Sequence, residues 1–136
     1  MTHTLEMLET LPKTLDVDQA LLARCIESCF DCTQTCTSCA DACLSEDMVS
    51  DLLRCIRLNL TCAEVCDVTT RALSRQLPMR LDLVRRLVET CAEACRACGD
   101  ECEQHAEEHA HCRVCAEACR ACESACRELV RAMQGA

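Results

Sequence analysis

Cysteine is the residue through which this chain can do chemistry. It occurs 18 times among 136 residues, and its positions are ordered. The first run is Cys25, Cys29, Cys32, Cys36, Cys39 and Cys43. A third is Cys91, Cys95, Cys98 and Cys102, and a fourth is Cys112, Cys115, Cys119, Cys122 and Cys126. Within each run, intervals of four and three alternate, which is the a/d rhythm of a packed helix seam. The sparser second run, Cys55, Cys62 and Cys66, keeps the same register, with Asn59 where one more cysteine would fit. Every thiol is therefore predicted to face a shared interior.

Thiolates in such rows suit metal by both geometry and charge. Residues four apart on a helix have Cβ atoms about 5–6 Å apart, and two metal–sulfur bonds of roughly 2.3 Å nearly span that gap. Cys-x-x-x-Cys can thus clamp one ion between successive turns, and each row becomes a ladder of clamps. A buried thiolate without counter-charge is costly, so it must keep its proton or meet a cation. One monovalent copper per thiolate leaves the core nearly neutral. Zinc favours closed four-ligand sites, which suit wrapping loops better than straight helices. Soft thiolates select Cu(I), with zinc and iron–sulfur clusters as competitors.

Other roles for the cysteines fit less well. Free cysteine is an acceptable small core residue, yet leucine on the same seams would bury more area at about 25 cal/mol per Å2. Stability has been given up for sulfur. Disulfide scaffolds are rich in loops, whereas this chain has two glycines and two prolines. Redox sites of the Cys-x-x-Cys type belong with a βαβ pattern that this sequence does not contain.

Three of the four histidines, His105, His109 and His111, fall at one predicted end of the cysteine rows. His105 follows Cys102 by three residues and extends its stripe, while His109 and His111 flank a turn. Imidazole is a good copper ligand. These residues are candidates for a mouth that takes up copper and passes it to thiolates; solvated loop histidines are the plainer alternative. Met48 lies close to the same end. Asn59 reads as a buried polar group bonded to its neighbours, with contact to the metal array as the alternative. Glu107 and Glu108 read as a solvated turn, and His3 as incidental.

The elements that must position these residues are helices. Asp16 followed by Gln19 resembles a capping pair, and the helical pattern then runs without a breaker to about Leu44. Ser45, with Glu46 and Asp47 in the following turn, predicts the start of a second helix that continues to about Ser74. Pro78 suits the first turn of a third, running to roughly Glu103. The fourth spans about Glu108 to Met133, with Gly135 past its end. Glu103 to His111 holds neither Gly nor Pro, but an unbroken helix from Pro78 to Met133 would leave its cysteine stripe in water, so a turn is expected there. Four helices of about 25 residues with short connections imply an all-α, antiparallel, up-down-up-down four-helix bundle over residues 16–136. Residues 1–15 form a short amphipathic lead-in, with Leu5, Leu8 and Leu11 at helical spacing before Pro12. It is expected to pack on the bundle or on a neighbouring subunit.

The opposite end is predicted to be closed by Leu21, Leu22, Leu73, Leu77, Leu81, Val84, Leu87, Val88, Leu129, Val130 and Met133. Composition supports one domain with an unusual interior. Half of the chain is apolar, but Trp and Tyr are missing and Phe30 is the single aromatic. The formal charge is −9, from 23 acidic against 14 basic residues, so nucleic acid and anionic membrane surfaces are disfavoured as partners. No segment approaches the roughly 20 apolar residues of a membrane span. Met1 to Lys13 has neither a basic start nor an apolar stretch of signal-peptide length. The expected compartment is the cytoplasm, where reducing conditions turn dense cysteine towards metal or redox work.

The stripes Cys25–Cys43, Cys91–Cys102 and Cys112–Cys126, with Cys-Ala-Glu-Ala-Cys-Arg-Ala-Cys repeated at 91–98 and 115–122, resemble the bacterial copper storage proteins of the cytosolic type over residues 16–133. That resemblance implies a homotetramer of four-helix bundles, each holding many Cu(I) ions on thiolates along its axis, with histidines at the mouth. Asn59 departs from an all-cysteine seam. A copper-donor or acceptor protein is an expected further partner.

Rival functions differ in what they require. A metallothionein-like zinc or cadmium buffer would hold far fewer ions than one per cysteine. A copper-responsive DNA-binding repressor would need a basic face. An enzyme would need an open coordination position and an ordered surrounding shell, not an undifferentiated row of ligands.

Overall fold

The computed structural model describes residues 2–13, 15–75 and 81–134, and the described residues are helices and their connections. Their order is α1 Thr4–Glu9, α2 Gln19–Leu44, a 3-10 turn Val49–Leu52, α3 Leu53–Leu73, α4 Leu81–His105 and α5 Ala110–Gln134. Helix α2 packs on α3 and α5, and α4 packs on the same two, so the four long helices close into a ring. Register fixes their directions. Ile26 and Cys32 of α2 meet Thr70 and Cys62 of α3, and Cys55 and Cys66 of α3 meet Cys102 and Cys91 of α4. Cys25 meets Cys126 while Cys39 meets Cys112. In each pair one index rises as the other falls. Neighbours are therefore antiparallel, giving the up-down-up-down bundle that the periodicity implied.

Several helix ends differ from the sequence expectation. Asp18, not Asp16, opens α2: its Oδ1 accepts from the N–H groups of Ala20 and Leu21 at 2.8 and 3.1 Å. Gln19 does not complete a capping pair but donates to the Leu8 carbonyl at 3.2 Å, tying α1 to the bundle. Ser45 does not start the next helix. Its N–H bonds to Ala42 O, and that of Glu46 to Cys43 O, so both close α2. The chain then crosses to Val49 before α3 begins at Leu53. Carbonyls at a helix end compete for the same N–H groups, and here the preceding helix wins.

The turn expected between the last two helices lies at residues 106–109, so α4 continues past Glu103 and α5 begins after Glu108. Without Gly or Pro, it is held by the His105 carbonyl, which accepts from Glu108 and His109. Pro78 and Gly135, proposed as helix-boundary signals, lie outside the described residues, as does Leu77.

Helix α1 lies on the bundle with Leu8 buried, whereas Leu5 remains 45% exposed. At the end formed by the start of α2 and α4 and the close of α3 and α5, Leu22, Leu73, Val84, Val88, Leu129 and Met133 are buried. Full burial of each large apolar side chain contributes about 1.5–3 kcal/mol, which makes this end a sealed apolar plug. No helix among the described residues is long and apolar enough to cross a membrane.

Candidate metal centre

All eighteen cysteines are free, and none is more than 2% exposed. Alternating steps of three and four keep each thiol on the inner face of its helix, and the four faces share one axis. The result is a continuous column of sulfur. Near the sealed end, Cys25 and Cys126 lie 3.7 Å apart, followed by Cys29 against Cys91 and Cys122 at 3.8 and 3.7 Å. Further along, Cys66 meets Cys91 and Cys95 at 3.7 Å, and Cys36 meets Cys115 and Cys119 at 3.6 and 3.7 Å.

These spacings are too long for disulfides, whose sulfurs stand about 2.05 Å apart. They match the distance between ligands of a common ion: two bonds of roughly 2.3 Å meeting at a trigonal or tetrahedral angle place their sulfurs about 3.8–4.0 Å apart.

Overlap is the distinctive property of the column. Ligand atoms within 4.8 Å of one another form the sets Cys29–Cys91–Cys122–Cys126, Cys32–Cys66–Cys95–Cys122, Cys32–Cys36–Cys62–Cys119 and Cys36–Cys98–Cys115–Cys119. Cys122 links the first two, Cys32 the next two, and Cys36 with Cys119 the last two. Isolated four-ligand sites would not share members. A shared ladder lets one sulfur bridge ions and lets neighbouring ions move between sets with short displacements.

Protonation reinforces the point. Hydrogen bonds from Cys126 and then Cys29 lower the Cys25 thiol to about 5. Burial, followed by the charge of Cys55, pushes Cys43 up to about 11. Within the column, bonds from Cys119, Cys32 and Cys36 push Cys62 down, while Cys115 and Cys119 push Cys36 up. Thiols this close in a low-dielectric interior cannot all ionise unless cations replace their protons.

Asn59 is fully buried inside the column. Its Oδ1 accepts from Cys98 at 3.0 Å, Cys115 at 3.1 Å and Cys102 at 3.5 Å, while Nδ2 donates to Cys55 at 3.6 Å. The bonded-to-neighbours reading of this residue therefore holds.

The three histidines gather at the other end, but each does something different. His111 reaches the thiols: its Nδ1 is 3.4 Å from Cys39 Sγ, 3.6 Å from Cys112 Sγ and 4.0 Å from Cys43 Sγ. Together these four residues form a further candidate ligand set. His109 instead contacts Glu46 through Nδ1 and stacks on His111. His105 sits with Nε2 at 2.8 Å from Glu101 Oε2, and Arg54 donates to the other oxygen of that carboxylate at 3.1 Å. Met48 is exposed, as are Glu107 and Glu108. The sequence reading missed Glu46, Glu101 and Arg54. The i,i+4 spacing of Glu101 and His105 was a signal for one of them, whereas Arg54 and Glu46 approach only through the fold.

The sequence model described as "Csp: Copper storage protein" matches residues 18–131. Comparison with curated protein sequences finds no match. Among solved structures, the chain is similar to the copper storage protein Ccsp of Streptomyces lividans loaded with 10 copper equivalents. Identity is 52%, covering 95% of this chain and 98% of that one, with a TM-score of 0.94. The cytosolic copper storage protein of the same organism with five coppers is 54% identical over 82% of this chain and 93% of that one, TM-score 0.81. Cu(I)-bound copper storage protein 3 of Bacillus subtilis is 38% identical over 78% of this chain and 94% of that one, TM-score 0.70. Match length, identity and fold agree: the chain belongs to the copper storage protein family.

Proposed function

We propose that this protein stores Cu(I) in the cytoplasm, using the thiolates of all eighteen cysteines as ligands inside the bundle of residues 16–136, with residues 1–15 as an appended lead-in. The observation that carries this reading is the overlap of buried four-sulfur sets along one axis. Each Cu(I) that replaces a thiol proton keeps the local charge unchanged, so the column can fill without accumulating charge in a low-dielectric interior. Shared sulfurs let ions be passed inward from a single open end.

His105, His109 and His111 act at that end in uptake. His111 delivers ions to Cys39, Cys43 and Cys112, and the other two hold incoming copper beside it. The cytoplasmic setting is supported by the Streptomyces relative described as cytosolic and by eighteen free thiols, which reducing conditions preserve. A storage role without catalysis is supported by ligand sets that overlap along the column and are built of buried cysteines. The working form is a homotetramer, and copper arrives from and leaves to other copper-carrying proteins.

Anaerobic titration of the reduced full-length protein with Cu(I), against a competing chelator, tests the reading. Loading should approach one ion per thiol. Saturation at four or five ions would instead fit closed divalent sites, as in a zinc or cadmium buffer.

A further inference from the structure

The mouth also carries donors whose chemistry differs from that of the thiols. His111 faces two ways. One side of its ring presents Nδ1 to Cys39, Cys43 and Cys112. On the other side, Nε2 is enclosed by protein and has no hydrogen-bond partner among the described residues. Glu46 Oε2 lies 3.7 Å from this nitrogen, and the same oxygen contacts His109 Nδ1. The two imidazoles stack with centroids 5.5 Å apart and planes inclined by 30°.

A buried polar atom without a partner is uncommon and calls for an occupant. The 3.7 Å gap is too long for a hydrogen bond. Two metal–ligand bonds of about 2.1 Å meeting at a tetrahedral angle would hold their donors roughly 3.4 Å apart, which is close to it.

We propose that Glu46, His109 and His111 form a divalent-cation site of the zinc class at the rim of the mouth, sharing His111 with the outermost thiolate set. Two imidazoles and a carboxylate are borderline donors that favour such ions over Cu(I). Three protein ligands leave a position for water. The turn after α2 supplies Glu46 and the turn before α5 supplies His109, so the site exists only when both ends of the chain's long hairpins are in place.

One consequence rests on the Cu(I) storage reading; the rim site itself does not. A neutral imidazole has a single lone pair. Binding a rim ion through Nε2 leaves the ring proton on Nδ1, facing sulfur. Binding Cu(I) through Nδ1, together with Cys39, Cys43 and Cys112, leaves the proton on Nε2, facing Glu46. The two occupancies compete, and each weakens the other by the same factor.

Co(II) is a suitable probe, because nitrogen–oxygen coordination gives weak visible d–d bands, whereas thiolate coordination adds intense near-ultraviolet charge transfer. Reduced full-length protein, loaded to half its measured Cu(I) capacity, is titrated with Co(II) beside its His109→Ala and Glu46→Gln variants. The wild-type minus His109→Ala difference should contain d–d bands alone and saturate at one Co(II) per chain. Glu46→Gln should weaken that binding about tenfold or more, and completing the Cu(I) loading should expel the Co(II). A null difference spectrum, or one dominated by charge transfer, overturns the rim site. Repeating the difference measurement on copper-free protein keeps the two readings apart: a low Cu(I) capacity sinks storage, while the Co(II) spectrum still decides the rim.

Discussion

The two ends of the bundle are built from the same four helices and do opposite things. At the sealed end, Leu22, Leu73, Val88 and Leu129 are buried together, and the nearby buried Thr70 hydroxyl is satisfied by the Ile26 carbonyl at 2.9 Å. At the mouth, the same axial positions carry Cys39, Cys43, Cys55, Cys102 and Cys112, surrounded by His105, His109, His111, Glu46 and Glu101. Leucine packing supplies stability that requires no ligand, whereas sulfur packing contributes less area and waits for cations. The copper-free molecule is thus anchored at one end and provisional at the other, which is what a container with a single opening requires.

The largest expected effect would erase this contrast. Copper that binds only the folded chain stabilises it by mass action, about 4 kcal/mol for each ion held at a thousand times its dissociation constant. Thermal unfolding of the fully loaded protein should therefore shift upwards by tens of degrees relative to the copper-free form. Equal melting temperatures would mean that the sulfur column holds no tightly bound ions.

Next in size is damage to the plug. Leu129→Ala should destabilise the copper-free protein by about 2–5 kcal/mol in denaturant titration, yet the chains that remain folded should load the same amount of Cu(I). A parallel loss of capacity would show that the ends are not separable. Within the column, Asn59→Ala removes the acceptor shared by Cys98, Cys102 and Cys115. Leaving Cys55 without its amide donor as well, it should cost about 1–3 kcal/mol, read in the same titration.

The smallest effect concerns rate. Replacing His105, His109 and His111 together with alanine should slow Cu(I) uptake about tenfold, equivalent to roughly 1.4 kcal/mol in barrier height, in anaerobic stopped-flow measurements. Capacity should fall by about one ion at most, since His111 stands with Cys39, Cys43 and Cys112 in one candidate set, while His105 and His109 face the carboxylates Glu101 and Glu46. Unchanged uptake would reassign the imidazoles to the rim site alone.

Much of this was legible in the chain because periodicity is a local property. Alternating threes and fours can face inward only on a helix, so the bundle, its sulfur axis and the inward direction of every cysteine follow from position along the sequence. The scarcity of aromatic rings and the clustering of Leu and Val at one end likewise assign the plug. Helix starts were less legible. Asp16 and Asp18 are both acceptable caps, and Ser45 can either close one helix or open another; packing between neighbouring helices decides which.

What the fold alone decided is who meets whom across it. Glu46 and His109 lie far apart in sequence, in turns joined only by the antiparallel return of the helices. The identical spacing rules that put thiols on the axis say nothing about which sulfurs overlap, that Asn59 would satisfy three of them, or that His111 would turn one nitrogen to sulfur and the other to a carboxylate. Local repeat fixes the face a side chain occupies, but its partners depend on helix register and rotation, which only the packed core sets.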